Sequence, residues 1–142
     1  MDTKELGILG ERLACEYLVK KGYKILGRNY RISFGEIDII ARKKFKFFTR
    51  VEKTIHFVEV KTIAQDDFNN RRPSITKADS FFPEQHVNYK KQQKLRNLAQ
   101  IWLEKNNYKE SQPYQIDVIG ILIDKTNRNA NLHYFANVVE GK

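Results

Sequence analysis

Two short stretches combine acidic residues and a lysine with β-branched residues, at positions 35–41 (GEIDIIA) and 56–62 (HFVEVKT). The alternation of charged and apolar residues predicts a β-strand in each stretch, so the pair is interpreted as a hairpin. Side chains on one face of a strand recur at every second residue, and Glu59 and Lys61 therefore share a face. If the strands pair antiparallel, Asp38, Glu59 and Lys61 can lie side by side on one surface.

Strict alternation on the first of these strands predicts two sets of side chains. One face would carry Glu36, Asp38 and Ile40, and the other would carry Ile37, Ile39 and Ala41.

Clustered carboxylates of this kind favour a divalent cation as their partner. They repel one another unless a cation neutralises them or water surrounds them. Oxygen ligands without a nearby His or Cys select hard ions such as Mg²⁺ or Mn²⁺, and such an ion activates water for hydrolysis of a phosphodiester. A lysine on the same face can orient that water or offset charge on the phosphate oxygens. The alternative is a solvated hairpin face with ordinary Glu and Lys cross-strand pairs.

The remaining elements position this hairpin. Thr3 can cap a first helix that ends at Gly22, and its apolar arc comprises Leu6, Leu9, Leu13, Ala14, Tyr17 and Leu18. Glu11 lies at the edge of the arc, where it either leans over a site on the sheet or is an ordinary surface acid favoured by the helix dipole. Gly10, inside the arc, would permit close packing.

The rest of the chain is predicted from periodicity and turn residues. The expected elements are a strand at 23–30, the hairpin, a long loop at 63–86, a helix at 87–105, and strands at 114–123 and 132–139. Asp117 interrupts the apolar run of the strand at 114–123 and is interpreted as a structural residue or a support for the site. His56, His86 and His133 lack metal-ligand spacing and are taken as structural or exposed.

Three further segments, together with GEIDIIA and FVEVKT, agree with a known family in order and spacing. They are Gly10-Glu11 with Ala14, Tyr17 and Leu18; Gly22-Tyr23 with Asn29-Tyr30-Arg31; and Gln115-Ile116-Asp117-Val118. Over most of its length the chain resembles the YraN family, a branch of the PD-(D/E)xK nuclease superfamily that includes archaeal Holliday junction resolvases. The resemblance implies an α/β fold with a restriction-endonuclease-like (resolvase-like) core, in which helices flank a mixed sheet in the order αβββαββ.

The resemblance also implies roles for individual residues. Asp38, Glu59 and Lys61 match the catalytic aspartate, glutamate and lysine of the superfamily, with Asp38 and Glu59 as ligands of Mg²⁺ or Mn²⁺. Glu36 matches the acid of the GEID motif, and Glu11 matches the N-terminal helix glutamate of resolvase-like members. The expected activity is endonucleolytic cleavage of DNA, particularly structured or branched DNA. RNA is an alternative substrate, and a nucleic-acid-binding module that keeps the fold without cleaving is the rival interpretation.

Charge and composition agree with a nucleic-acid partner. Lys and Arg number 26 against 17 Asp and Glu, a formal charge of +9 that favours polyanions, although a merely solubilising excess is the alternative. Basic residues interleave with Phe45, Phe47 and Phe48 between the hairpin strands; this interval either contacts nucleic acid or forms a solvated tip. The residues expected to bind nucleic acid are Arg31, Lys43, Lys44, Lys46 and Lys91. For Lys91, a stem that only covers apolar surface is the alternative.

The length of 142 residues, 41% hydrophobic, predicts one domain spanning 1–142. A single cysteine, Cys15, excludes an internal disulfide and is compatible with a reducing cytosol. No apolar run approaches a membrane span, so we expect a soluble cytoplasmic protein with no membrane partner. The sequence leaves the oligomeric state open, a homodimer included.

Overall fold

The computed structural model describes residues 2–44, 53–65 and 89–138. Its elements, in chain order, are α1 (Thr3–Lys20), β1 (Tyr23–Ile32), β2 (Gly35–Lys43), β3 (Ile55–Gln65), α2 (Tyr89–Lys105), β4 (Tyr114–Asp124) and β5 (Asn129–Phe135). This is the expected αβββαββ order of an α/β protein. In the described ranges no helix is long and apolar enough to cross a membrane.

The five strands form one mixed sheet in the order β1-β2-β3-β4-β5. Neighbouring strands are antiparallel except β3 and β4, which run parallel from the Ile55 and Tyr114 pair to the Gln65 and Asp124 pair. A parallel pair needs a crossover connection, and α2 lies in that connection. The chain therefore places its two acidic strands, β2 and β3, beside each other near the middle of the sheet.

Two apolar clusters cover the two faces of the sheet. Beneath α1, Ala14 and Leu18 pack in a cluster with Val58. Beneath α2, Leu98 and Trp102 pack in a second cluster with strand residues of the opposite face. The strand β4 contributes alternate residues to both clusters and is buried along most of its length, as its continuous apolar run predicts.

The first helix begins one residue earlier than the sequence suggests. Its N-cap is Asp2, not Thr3, because the Asp2 carboxylate accepts a hydrogen bond from the Glu5 N–H at 2.8 Å. The Glu5 carboxylate accepts in return from the Asp2 N–H, which completes a capping box. The helix stops before Gly22, whose φ of +92° is readily adopted by glycine.

Three other boundaries also differ from expectation. The strand predicted at 23–30 continues to Ile32, because its pairing with β2 extends to Gly35. Residues 63–65, expected in a loop, belong to β3 because they pair with β4. The last strand runs at Asn129–Phe135 rather than 132–139, because a tight turn at Asp124 starts its pairing at Asn129. Residues 66–88, with most of the expected loop and the expected start of the second helix, lie outside the described residues.

Candidate active site

A cleft of ≈ 280 Å³ lies where the acidic ends of β2 and β3 meet the two helices. The charged residues that line it are Glu11, Glu36, Asp38, Glu59, Lys61 and Lys91. The structure therefore brings together the five residues predicted to be catalytic and one of the five predicted to bind nucleic acid.

Asp38 lies at the point where the backbone pairing of β2 with β3 stops. The paired positions are Ile39 with Val58, Ile40 with Phe57 and Ala41 with His56. At the next step the Asp38 carboxylate accepts a hydrogen bond from the Val60 N–H at 2.8 Å. A side chain here replaces a backbone acceptor, so the carboxylate is held against β3 while the residue lines the cleft.

The strict alternation predicted for β2 is wrong at Asp38. Ile37 and Ile40 pack in the same cluster beneath α2, whereas Ile39 packs beneath α1. The neighbouring strand is irregular here: Asn29, between the partners of Ile37 and Ile39, has a φ of +51°, and the pairing shifts register between Ile25 and Gly27. Asparagine tolerates this left-handed conformation, which kinks a strand pair. Ile40 therefore does not share a surface with Glu36 and Asp38, but is fully buried.

Glu11 reaches the cleft because α1 approaches β3 very closely. A Cβ atom at Gly10 would lie 1.8 Å from the Thr62 Oγ1, so only glycine fits at this crossing. The next residue, Glu11, lines the cleft and accepts a hydrogen bond from the Asn29 side chain. The hypothesis that Glu11 leans over the sheet is thus consistent with its position. Asn29 was not among the predicted site residues; its place beside Tyr30-Arg31 in a matching segment was the only signal.

The cleft raises the pKa values of two of its acids. Burial, followed by the charges of Glu11, Glu59 and Glu36, raises the pKa of Asp38 to about 7, against the opposing hydrogen bond from Val60. Burial also raises the pKa of Glu11, while its hydrogen bond with Asn29 acts in the opposite direction. The neighbouring carboxylates add to the effect of burial, and a bound cation would relieve that part of the shifts.

Glu59 and the two lysines lie on the α2 side of the cleft. The Lys91 ammonium forms an ion pair with the Glu59 Oε1, so Lys91 does more than cover apolar surface. The Glu59 Oε2 is buried and has no hydrogen-bond partner among the described residues. Lys61 is exposed at the rim, two residues beyond Glu59 on the same strand. Both lysines are therefore close to the carboxylate that the sequence predicts as a ligand.

The other predicted nucleic-acid contacts lie elsewhere. Arg31 forms a two-pronged contact with Glu36, with its Nη2 at 2.7 Å and its Nε at 3.0 Å from one carboxylate oxygen. Lys43 lies over the Tyr23 ring, 5.8 Å from its centroid, and Lys44 follows it. Five residues of strand separate Asp38 from Lys43, which corresponds to about 17 Å. Lys46 lies outside the described residues.

Asp117 is not part of the cleft and has a structural environment. It is fully buried and accepts hydrogen bonds from Gln115 at 2.8 Å, from the Asn137 N–H at 2.7 Å and from the Tyr134 hydroxyl. It also contacts the buried His56 Nδ1 at 2.7 Å. Despite its burial, the hydrogen bonds from His56 and these donors lower the pKa of Asp117. From the sequence, Asp117 was either structural or a support for the site, and His56 was either structural or exposed. Their pairing depends on the register of β3 and β4.

The donor set of the cleft fits a hard divalent cation in part. The Glu59 Oε2 has no hydrogen-bond partner among the described residues, and the Asp38 carboxylate lies near three other acids, so both residues offer oxygen donors to a cation. Across residues 2–44, 53–65 and 89–138, no three Asp, Glu, His or Cys side chains are grouped closely enough to hold a metal ion alone. Asp38 and Glu59 would thus supply two ligands, which is sufficient for Mg²⁺ when water and substrate oxygens complete its shell.

Comparison with known proteins identifies the family of this chain. The family model described as "Uncharacterised protein family UPF0102" matches residues 10–121. A UPF0102 protein of Thermodesulfovibrio yellowstonii is 42% identical over 117 residues, covering 82% of this chain and 85% of the relative. One from Dictyoglomus turgidum is 34% identical over 137 residues, covering 96% of this chain and 98% of the relative. One from Caldanaerobacter subterraneus subsp. tengcongensis is 36% identical over 124 residues, covering 87% of this chain and 84% of the relative. The chain belongs to the UPF0102 (YraN) family.

Proposed function

We propose that this protein is a metal-dependent endonuclease that hydrolyses phosphodiester bonds in DNA, with structured or branched DNA as its preferred substrate class. The observation that carries the proposal is the convergence of Glu11, Glu36, Asp38, Glu59 and Lys61 in one cleft. These residues come from a helix and two strands, and only the fold brings them together. A concave site with crowded acids and a raised pKa is typical of catalytic centres.

The residues would divide the work as follows. Asp38 and Glu59 would hold Mg²⁺ or Mn²⁺, which supplies a Lewis acid for water and phosphate. Lys61, at the exposed rim, would orient the attacking water and balance charge that grows on the phosphate oxygens. Glu11 and Glu36 would hold further water at the opposite side of Asp38. The substrate would approach from the open side of the cleft, where Lys61 is exposed.

The net charge of +9 supports nucleic acid as the substrate class, because neutralised phosphates release counterions. Replacing Lys43, Lys44 and Lys46 together by Ala should flatten the salt dependence of DNA affinity, by about 0.9 in slope for each phosphate that is no longer neutralised. Affinity measured between low and moderate salt tests this. An unchanged slope would show that this interval is only a solvated tip.

The decisive experiment is a cleavage panel of four-way, forked, single-stranded and duplex DNA, with RNA counterparts, in Mg²⁺, Mn²⁺ or a chelator. We expect cleavage of branched DNA with either ion and none with chelator. Asp38→Ala serves as the matched inactive control. Binding without cleavage on every substrate, with wild type and Asp38→Ala alike, would favour a module that keeps the fold but only binds nucleic acid.

A further inference from the structure

Lys91 is held against the carboxylate that the proposed function assigns to the metal. It lies in the first turn of α2, and its ammonium contacts the Glu59 Oε1. One turn further along the helix, Leu95 is buried in the cluster beneath α2 and fixes this side of the helix over the cleft. The Lys91 contact is therefore a consequence of how α2 packs on the sheet.

The charges of the cleft explain why a cation is retained there. Glu59 is surrounded by the acids Glu11, Glu36 and Asp38, and its Oε2 is buried without a hydrogen-bond partner in the described part of the chain. A partly buried carboxylate among other carboxylates is costly unless a positive charge stands beside it. Lys91 supplies that charge to the Oε1.

A divalent cation bound to the Glu59 carboxylate would lie close to the Lys91 ammonium on the Oε1, and the two positive charges would repel each other. The Lys91 side chain is 43% exposed and the Glu59 side chain 22% exposed, so the lysine has a path out toward solvent. Its flexible four-carbon stem allows such a movement without a shift of the helix.

We propose that Lys91 is a resident counter-ion of Glu59 which an incoming divalent cation displaces, so that the ammonium and the metal are alternative counter-ions of the same carboxylate. The inference rests on the proposed metal site and adds a competitor to it. Once displaced, the ammonium remains at the mouth of the cleft, where it meets a phosphate of the substrate. Metal binding thereby converts an internal ion pair into a contact available to nucleic acid.

The test is calorimetric titration of Mn²⁺ into the full-length protein without nucleic acid, at fixed ionic strength. Lys91→Met keeps most of the apolar stem and removes the competing charge, so Mn²⁺ should bind about three- to tenfold more tightly. Lys91→Arg keeps the charge, and its Mn²⁺ affinity should not exceed that of wild type. Lys90→Met is the matched control, since it removes the same charge from an exposed neighbouring position that does not line the cleft.

Each outcome bears on the inference. Tighter Mn²⁺ binding by Lys91→Met alone supports displacement. An equal gain in Mn²⁺ affinity for Lys90→Met would show that the effect comes only from the lower net charge, which would overturn the inference. Mn²⁺ binding to wild type with equal or weaker binding to Lys91→Met would overturn the inference and leave the proposed function intact. A lack of Mn²⁺ binding in every variant would remove both the metal site and the displacement. Urea unfolding of each variant verifies that the folded proteins are being compared.

Discussion

Two aspartates interrupt apolar strands of this protein, and their surroundings are opposite. Burial, followed by the charges of three other carboxylates, raises the pKa of Asp38 to about 7, although the hydrogen bond from the Val60 N–H acts in the opposite direction. Asp117 contacts His56 and receives hydrogen bonds from Gln115, Tyr134 and Asn137, and its pKa is lowered although it is fully buried. One acid is crowded by like charge, and the other is saturated with donors.

The difference separates a residue held for chemistry from a residue held for the fold. A carboxylate that already accepts a full set of hydrogen bonds has no lone pairs left for a metal ion, and each donor around it has its hydrogen-bond partner. A crowded carboxylate is destabilising in the free protein and is stabilised when a cation arrives. Burial alone does not distinguish the two sites, because both carboxylates are withdrawn from water; the chemistry of their neighbours does.

The largest effect should come from the site of chemistry. Asp38→Asn removes one ligand of the proposed cation but keeps an oxygen for the Val60 N–H, so we expect cleavage to fall about 10³-fold or more. Mn²⁺ binding measured by calorimetry should be lost with it. Asp117→Asn is the matched variant, and the fraction of it that remains folded should still bind Mn²⁺. If wild type and Asp38→Asn gave the same Mn²⁺ titration, Asp38 would not be a ligand.

The next largest effect should be on stability, at Asp117. Asp117→Asn replaces one acceptor oxygen by a donor amide in a buried cluster that already consists of donors such as the Tyr134 hydroxyl and the Asn137 N–H. At least one buried donor would lose its partner, so we expect a loss of about 2–4 kcal/mol in the free energy of unfolding. Urea denaturation of Asp117→Asn beside Asp38→Asn measures it. A stable Asp117→Asn protein would mean that the network contributes little to the fold.

A smaller effect is expected at Lys61, on the cleavage rate but not on substrate binding. Lys61 is exposed at the rim of the cleft, and its proposed action on the transition state is not needed to hold the metal or the DNA. Lys61→Ala should lower the single-turnover cleavage rate about 10²- to 10³-fold while leaving Mn²⁺ and DNA affinity nearly unchanged. Lys61→Arg should rescue poorly, because a planar guanidinium does not replace a compact ammonium. Equal rates for wild type and Lys61→Ala at saturating enzyme would remove Lys61 from the mechanism.

The two aspartates also show how far sequence reasoning reaches. The period of two along β3 was enough to place Glu59 and Lys61 on one face, and helical spacing put Glu11 at the edge of the apolar arc of its helix, with a surface position left open. These are local rules. The broken alternation that separates Ile40 from Asp38 accompanies backbone irregularities of another strand, at Asn29 and between Ile25 and Gly27, and no pattern within the GEIDIIA stretch encodes it.

The environment of Asp117 was beyond sequence reasoning for a similar reason. Its contact with His56 joins residues 61 positions apart and exists only in the observed parallel register of two strands. The N-cap, in contrast, follows from a local rule. Asp2 and Glu5 have capping-box spacing, so the sequence itself contains the signal for Asp2 rather than Thr3. Local spacing was sufficient to bring Glu59 and Lys61 together, whereas the partners of each acid depend on the assembled sheet.

The last and smallest effect is a difference in the pH dependence of stability, measured in chelator so that no metal is bound. A lowered pKa, as for Asp117, contributes stability that is present above the ordinary value of 3.8 and is lost as the pH falls through the folded pKa. A raised pKa, as for Asp38, acts oppositely: between about pH 4 and 7 the folded state keeps a proton that the unfolded state releases, so stability falls as the pH rises.

The matched variants should therefore alter different pH windows. Relative to wild type, Asp38→Asn should gain about 1–2 kcal/mol near pH 8, after allowance for solvent screening, and this gain should disappear below pH 4. The deficit of Asp117→Asn should shrink only under acid conditions, below 3.8. Urea midpoints at intervals from pH 3 to pH 8 provide the comparison. If both variants followed the wild-type profile in parallel, the opposite electrostatics of the two aspartates would not influence folding, and crowding at Asp38 could not be what draws a cation into the cleft.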